Sequence, residues 1–484
     1  MPSDPPRAPG GAPQEAALPA PPDESAPPAE PAAPAAARPR GKGLLQFKVI
    51  APALFVAAAL IAAFVHRHQR LSGVPDPGDP FSDVAAGPDV PREENENAYW
   101  NYDGAANRLV EADALVRSEL DDAVEGGWDA ATPNVREWVA KNRPALDAWK
   151  AGADKPRFRF DEAMLEMRLP RADFFDRLFD LAQAACLEGA RLQSEGNVED
   201  AWNWHRAVIR CSRHCGQYGL LRERIVGAKM HERAAYGIRQ WSADPRVTEA
   251  LLERALEDVQ QDDRLTPATE SLLREEYRLA MLRLDDPTQA AGGGSVHGLG
   301  RVLLYFMNEP EHSRRVVRHV FANWRGELGE PLAARGTVGW KLPRLHEPPP
   351  DRPDAPSVAQ IREWLDESIL AHDVLPSISE ADAEILNERV RQGALLVALA
   401  AQRAHRRDAR FPERAEDLLG GPLEALPIDP FGEAGAVLRY RRDEPGAVVW
   451  SVGSDRVDDG GQLPTSDESS ADLVTRIDPP GEGG

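Results

Sequence analysis

The chain has 484 residues, which is room for about two to three domains with cores of their own. Its 79 acidic against 57 basic side chains leave a formal net charge of -22, which excludes wrapping of nucleic acid, whose phosphates require a basic face. Three cysteines, Cys186, Cys211 and Cys215, exclude a disulfide framework and allow one bridge at most.

In chain order, residues 1–43 are dominated by Pro, Ala, Gly, Asp and Glu, too poor in apolar side chains to offset the entropy of ordering, and read as a disordered tail. Val49–Val65 then runs without a charge. With Phe47 and a snorkelling Lys48 it is expected to form a single transmembrane helix over 44–66. Arg38, Arg40, Lys42 and Lys48 precede this run and Arg67 and Arg70 follow it, which places the tail in the cytoplasm and the bulk of the chain on the far side. Residues 67–97, rich in proline and acids, read as an extended linker.

From 98 to 325 the pattern is helical. Capping residues followed by proline mark helix starts at Thr132-Pro133, Asp244-Pro245 and Thr266-Pro267. Leu178, Leu181, Ala185 and Leu192 share one helix face, as do Leu251, Leu252, Leu256 and Val259 of a later helix, with Asp, Glu and Arg expected outward. Gly189, Ser194-Glu-Gly196-Asn197 and Ala201 follow part of a tetratricopeptide pattern, so a helical hairpin is expected there, without a repeat. Residues 326–356 read as a Pro/Gly-rich linker.

The last domain, 357–475, opens with the capping box Ser357-Val-Ala-Gln360 and a long helix from Ser379-Glu-Ala-Asp382 carrying Leu386, Val390, Val397, Ala400 and Ala404. After it come Phe411-Pro412, the turn segment Leu426-Pro-Ile-Asp-Pro-Phe-Gly432, and two short strands at 437–441 and 448–452 joined by Asp443-Glu-Pro-Gly446. Residues 476–484 are expected to be a flexible tail. The fold class is therefore mainly α, with a small α+β lobe at the end.

The order of Phe411-Pro412, Leu426–Gly432 and Ser451-Val-Gly-Ser-Asp455 resembles the carboxy-terminal lobe of the major pseudopilin of type II secretion. The layout is also similar to membrane-anchored bacterial proteins that end in such a lobe. The resemblance implies calcium in the acidic loop, with Asp455, Asp458 and Asp459 as ligands and Asp467 and Asp472 as later acids, since calcium takes six to eight hard oxygens. It also implies a bacterial inner-membrane location with the carboxy-terminal domains in the periplasm. The sequence departs from the family in lacking a prepilin-peptidase site and in placing a long helical insertion between the apolar segment and the lobe.

No Gly-x-Ser-x-Gly elbow, phosphate loop, dinucleotide fingerprint or His-Glu-x-x-His occurs. Cys211-Ser-Arg-His214-Cys215, with His205 two turns earlier and Cys186 and His231 elsewhere, offers soft ligands but no second pair at zinc spacing. Buried small hydrophobes are the ordinary role for such cysteines. Trp138, Trp149, Trp202, Trp204, Trp324 and Trp364 read as core or interface anchors. The sequence thus favours a non-enzymatic envelope protein that presents a helical surface to protein partners. Its alternatives are an exported enzyme with a cleft around His205, Cys211 and His214, and a divergent pseudopilin.

Overall fold

The computed structural model describes residues 43–84, 96–159, 172–285, 308–328, 345–347, 355–376, 378–462 and 472–481. The expected tail over 1–43 lies, but for its last residue, outside the described residues; so does most of the expected linker over 326–356. By chain contacts the protein divides into two units, Met1–Phe64 and Val65–Gly484.

Helix α1 (Gly43–Ser72) takes up the apolar run and continues past it. Among the described residues no helix is long and apolar enough to cross a membrane. The helix expected over 44–66 is present, but its uncharged run covers about 25 Å, short of the roughly 30 Å of a hydrocarbon core.

The described residues of Val65–Gly484 include thirteen further α-helices and one three-stranded antiparallel sheet. The helices are α2 (Tyr99–Ala106), α3 (Ala114–Ala130), α4 (Pro133–Lys141), α5 (Arg143–Ala153), α6 (Ala172–Ser194), α7 (Val198–His214), α8 (Leu221–Ala243), α9 (Glu249–Asp263), α10 (Thr269–Asp285), α11 (Glu309–Leu328), α12 (Val358–Glu367), α13 (Ile369–Val374) and α14 (Ile378–Asp408). Caps explain several boundaries. The Thr132 hydroxyl accepts from the Val135 amide with Pro133 in the first turn of α4, and Ser357 and Gln360 form the expected capping box of α12. Gly196, at φ 89°, turns the expected hairpin between α6 and α7. Asp244-Pro245 does the opposite of what its residues suggest: α8 ends there, and α9 starts after Thr248, whose hydroxyl accepts from Leu251 N.

Two hydrophobic cores result, and they do not follow the expected domain boundaries. The first joins α2 through α9 to Val390–Ala401 of α14 and to the terminal lobe; in it Trp202 and Trp241 stack at 5.0 Å. The second joins α10, α11, α12, α13 and Ala381 of α14 to Leu71, Val74 and Phe81. Residues 71–84, expected to be part of an extended linker, therefore form a strap against α11. Arg318 binds both carboxylate oxygens of Asp76 at 2.9 and 2.7 Å, His319 donates to the Pro75 carbonyl at 2.9 Å, and Arg325 holds Asp83 at 2.6 and 2.9 Å. Phe81 packs against Tyr277 and Phe321, which also touch each other. An isolated hydrophobic sequence signal of three residues among prolines and acids was too sparse to show this.

The lobe has strands β1 (Arg439–Asp443), β2 (Gly446–Ser451) and β3 (Leu473–Ile477), in the order β1-β2-β3. The hairpin is the expected one. The third strand was not expected, although Leu473-Val-Thr-Arg-Ile477 is rich in β-formers. The sheet packs on α14, and Tyr440 donates its hydroxyl to the Pro412 carbonyl at 3.0 Å, which ties the strands to the turn after the helix.

Candidate functional site

In the lobe, proline after Asp429 and the turn at Gly432 bend the chain so that the Asp429 carboxylate points inward, 2% exposed. It accepts from Phe431 N at 3.0 Å, Ser451 Oγ at 2.6 Å, Val452 N at 3.1 Å and Arg439 Nη1 at 3.2 Å. Three segments are fastened by one side chain, and each carboxylate oxygen has two donors. The sequence marked Asp429 only as a turn residue.

The acids of the following loop are arranged differently. Asp458 Oδ1 accepts from Trp450 Nε1 and Gly460 N, both at 3.0 Å, while its Oδ2 lies 2.8 Å from Arg439 Nε. The indole hydrogen bond, then the Gly460 amide and Arg439, hold this carboxyl below its usual range. Asp455 accepts from the Val457 amide at 3.0 Å and caps its own turn, and Asp459 is exposed. Asp472 accepts from Gly461 N at 2.9 Å, and Asp467 lies outside the described residues. Among the described residues no group of three or more His, Cys, Asp or Glu is placed to hold a metal ion. Of the acids expected to bind calcium, Asp455, Asp458 and Asp459, the second has its oxygens on Arg439 and Trp450.

The cysteines and histidines of the helical region lie in the first core. Cys186, Cys211 and Cys215 are all free and buried. Burial pushes the Cys186 thiol up to about 12, and the Cys215 thiol is raised by its hydrogen bond with Cys211 and by burial, the reverse of what an attacking thiolate requires. The Tyr102 hydroxyl and His214 Nδ1 are hydrogen-bonded at 2.8 Å, and burial, with Arg210 adding, lowers that imidazole to about 3. His205 is fully buried against Gly189 and Gly237, where a Cβ would come within 3.0 and 2.7 Å of its ring. Burial lowers it to about 4.

Charged residues expected on outward helix faces are also inside. Arg213 and Arg224, each 1% exposed, both pair with Glu388, and Arg213 Nη2 and His231 Nε2 each donate to Gln392 Oε1 at 2.8 Å. Burial pushes the Glu388 carboxyl up, but Arg224 and Arg213 outweigh it and bring it to about 2. Burial, with Arg213 adding, lowers His231 to about 3. The cluster joins α7, α8 and α14, so its long-range partners fix it, and helical periodicity could not reveal it.

A shallow depression is lined by Tyr218, Gly219, Leu220, Glu275, Arg278, Leu279 and Leu282. None of His205, Cys211 and His214 lines it. Beside it, burial raises Glu276 to about 7 against its hydrogen bond from the Leu221 amide, with Glu223 adding to the rise. That bond, 2.8 Å long, makes Glu276 a cap for the start of α8. No protein-family model, curated protein or solved structure matches the chain.

Proposed function

We propose that this protein is a non-catalytic, membrane-attached envelope protein. It displays a helical body to protein partners and ends in a pseudopilin-like lobe. The observation that carries the reading is where its reactive groups lie: the imidazoles of His205, His214 and His231 and all three thiols are buried in the first core, and burial lowers the three imidazoles and raises the Cys186 and Cys215 thiols. A catalytic histidine or cysteine needs access to substrate and a suitable pKa. Attachment rests on a second observation. Leu54, Phe55, Val56, Leu60, Ile61, Phe64 and Val65 are 38–76% exposed, and at 3.6 residues per turn they ring α1 rather than line one side. A ring of apolar side chains matches lipid better than a groove on one protein partner. The pseudopilin reading draws on the long helix, the Phe411-Pro412 turn and the hairpin packed back on that helix.

The test is fractionation of the full-length chain after alkaline carbonate extraction. The protein is expected in the membrane pellet, and Leu60→Arg with Ile61→Arg is expected to move it to the supernatant. Recovery of the unsubstituted chain in the supernatant would refute attachment. Protease treatment of spheroplasts then reads the side: digestion of the body supports an envelope location, protection overturns it.

A further inference from the structure

Where the last turns of α1 meet α11, His68 and His312 face each other edge-on, ring centroids 5.1 Å apart at 70°. His312 is 4% exposed, and neither of its ring nitrogens has a hydrogen-bond partner among the described residues. The Nδ1 of His68 is buried and unpartnered in the same way. Around the rings, polar bonds fasten the end of α1. Arg67 Nη2 lies 2.7 Å from each carboxylate oxygen of Glu309, and Arg67 Nε donates to the Glu367 carbonyl at 2.5 Å. Glu309, fully buried, also accepts from Ile369 N at 2.8 Å. Arg70 pairs with Glu363 and Glu367, after which Leu71 and Val74 enter the second core.

The charged groups around the pair are Arg67 and Arg70 on α1, Glu309, Glu311 and Arg315 on α11, and Glu363 and Glu367 on α12; α13 contributes only the Ile369 amide to these bonds. The nearest carboxylates already have cations: Glu309 has Arg67, and Glu311 has Arg314 and Arg315. A proton added to the His312 ring therefore enters a buried site with no spare anion beside it. Burial, with His68 adding, already holds His312 below the ordinary imidazole range.

We propose that the His68–His312 contact is a proton-sensitive catch, which seats the end of α1 on α11 while the His312 ring is neutral and releases residues 66–74 when it is protonated. The direction follows from linkage. His312 binds a proton more readily when released, so seating is at full strength above about pH 6.5 and weakens as pH falls below it, by up to about tenfold per unit. A partner or membrane surface bearing acid would thus loosen α1 from the second core with no ligand bound to either.

Amide hydrogen exchange on the full-length chain tests this, read as protection factors at pH 7.5 and 6.0. Between pH 7.5 and 6.0 protection of residues 66–74 and 309–316 is expected to fall about fourfold, separately from the loss that His205, His214 and His231 impose on α7 and α8. His312→Gln is expected to abolish the fall. His68→Gln, at a half-exposed position that tolerates a polar residue, is expected to reduce it even should the first variant fold poorly. A fall at residues 66–74 and 309–316 that persists unchanged in His68→Gln would overturn the proposal.

Discussion

The first core and the strap of the second keep charge in opposite ways. In the first core, Glu388 sits between Arg213 and Arg224, all three at 2% exposure or less, His231 is shut in beside them, and His205 and His214 are buried elsewhere on the same helices. In the strap the ion pairs lie at the rim: Asp76 and Asp83 are 40% and 68% exposed where Arg318 and Arg325 hold them. The lesson is that similar bonds on paper differ in consequence. A buried pair gains its strength from low dielectric and becomes a liability once one partner is lost, whereas a rim pair shares its charge with water and stabilises little.

The sharpest way to break this comparison is acid. His205, His214 and His231 are each lowered in the folded state, so the unfolded chain binds more protons, and the first core is fully stable only above about pH 6.5. As pH falls toward 4 that stability is lost; at pH 5 each histidine accounts for about 2 kcal/mol. Urea unfolding between pH 7.5 and 5 followed by tryptophan fluorescence should show the midpoint collapse. A flat profile would contradict the sealed histidines.

Next in size is Glu388→Gln, which strands two buried guanidinium groups and is expected to cost about 3–5 kcal/mol in the same measurement. Gly237→Ala places a methyl group 2.7 Å from the His205 ring, with an expected loss of about 1–3 kcal/mol. In a His205→Ala background the same substitution should cost far less, because the two residues are in contact. The smallest effect belongs to the second core. Asp76→Asn at the strap should cost less than about 1 kcal/mol, a difference that 0.5 M salt should erase.

What the sequence disclosed follows the range of each interaction. Thr132, Ser357, Gly196 and the 443–446 turn act within a few residues, and each did in the structure what its chemistry foretold. Asp244-Pro245 carried the residues of a helix start and became a helix stop, because Arg246 and Gln193 draw the Asp244 carboxylate across to the α6–α7 hairpin. Arg213, Arg224, Asp258, Asp262 and Glu388 looked like solvated faces because their partners lie on other helices, tens to hundreds of residues away. The acidic loop was read from its residue types alone, and Arg439, a strand residue with no motif of its own, determines where Asp458 points.

Helix α14 has a mechanical meaning that follows from which side chains it lends to each core. Ala381 belongs to the second and Val390 to the first, so about 13 Å of unbroken helix bridges them. An α-helix resists bending and twisting over so short a length. Because α14 packs on α8 and α9 and then on the sheet, the lobe is held to the first core by the same helix that reaches the second.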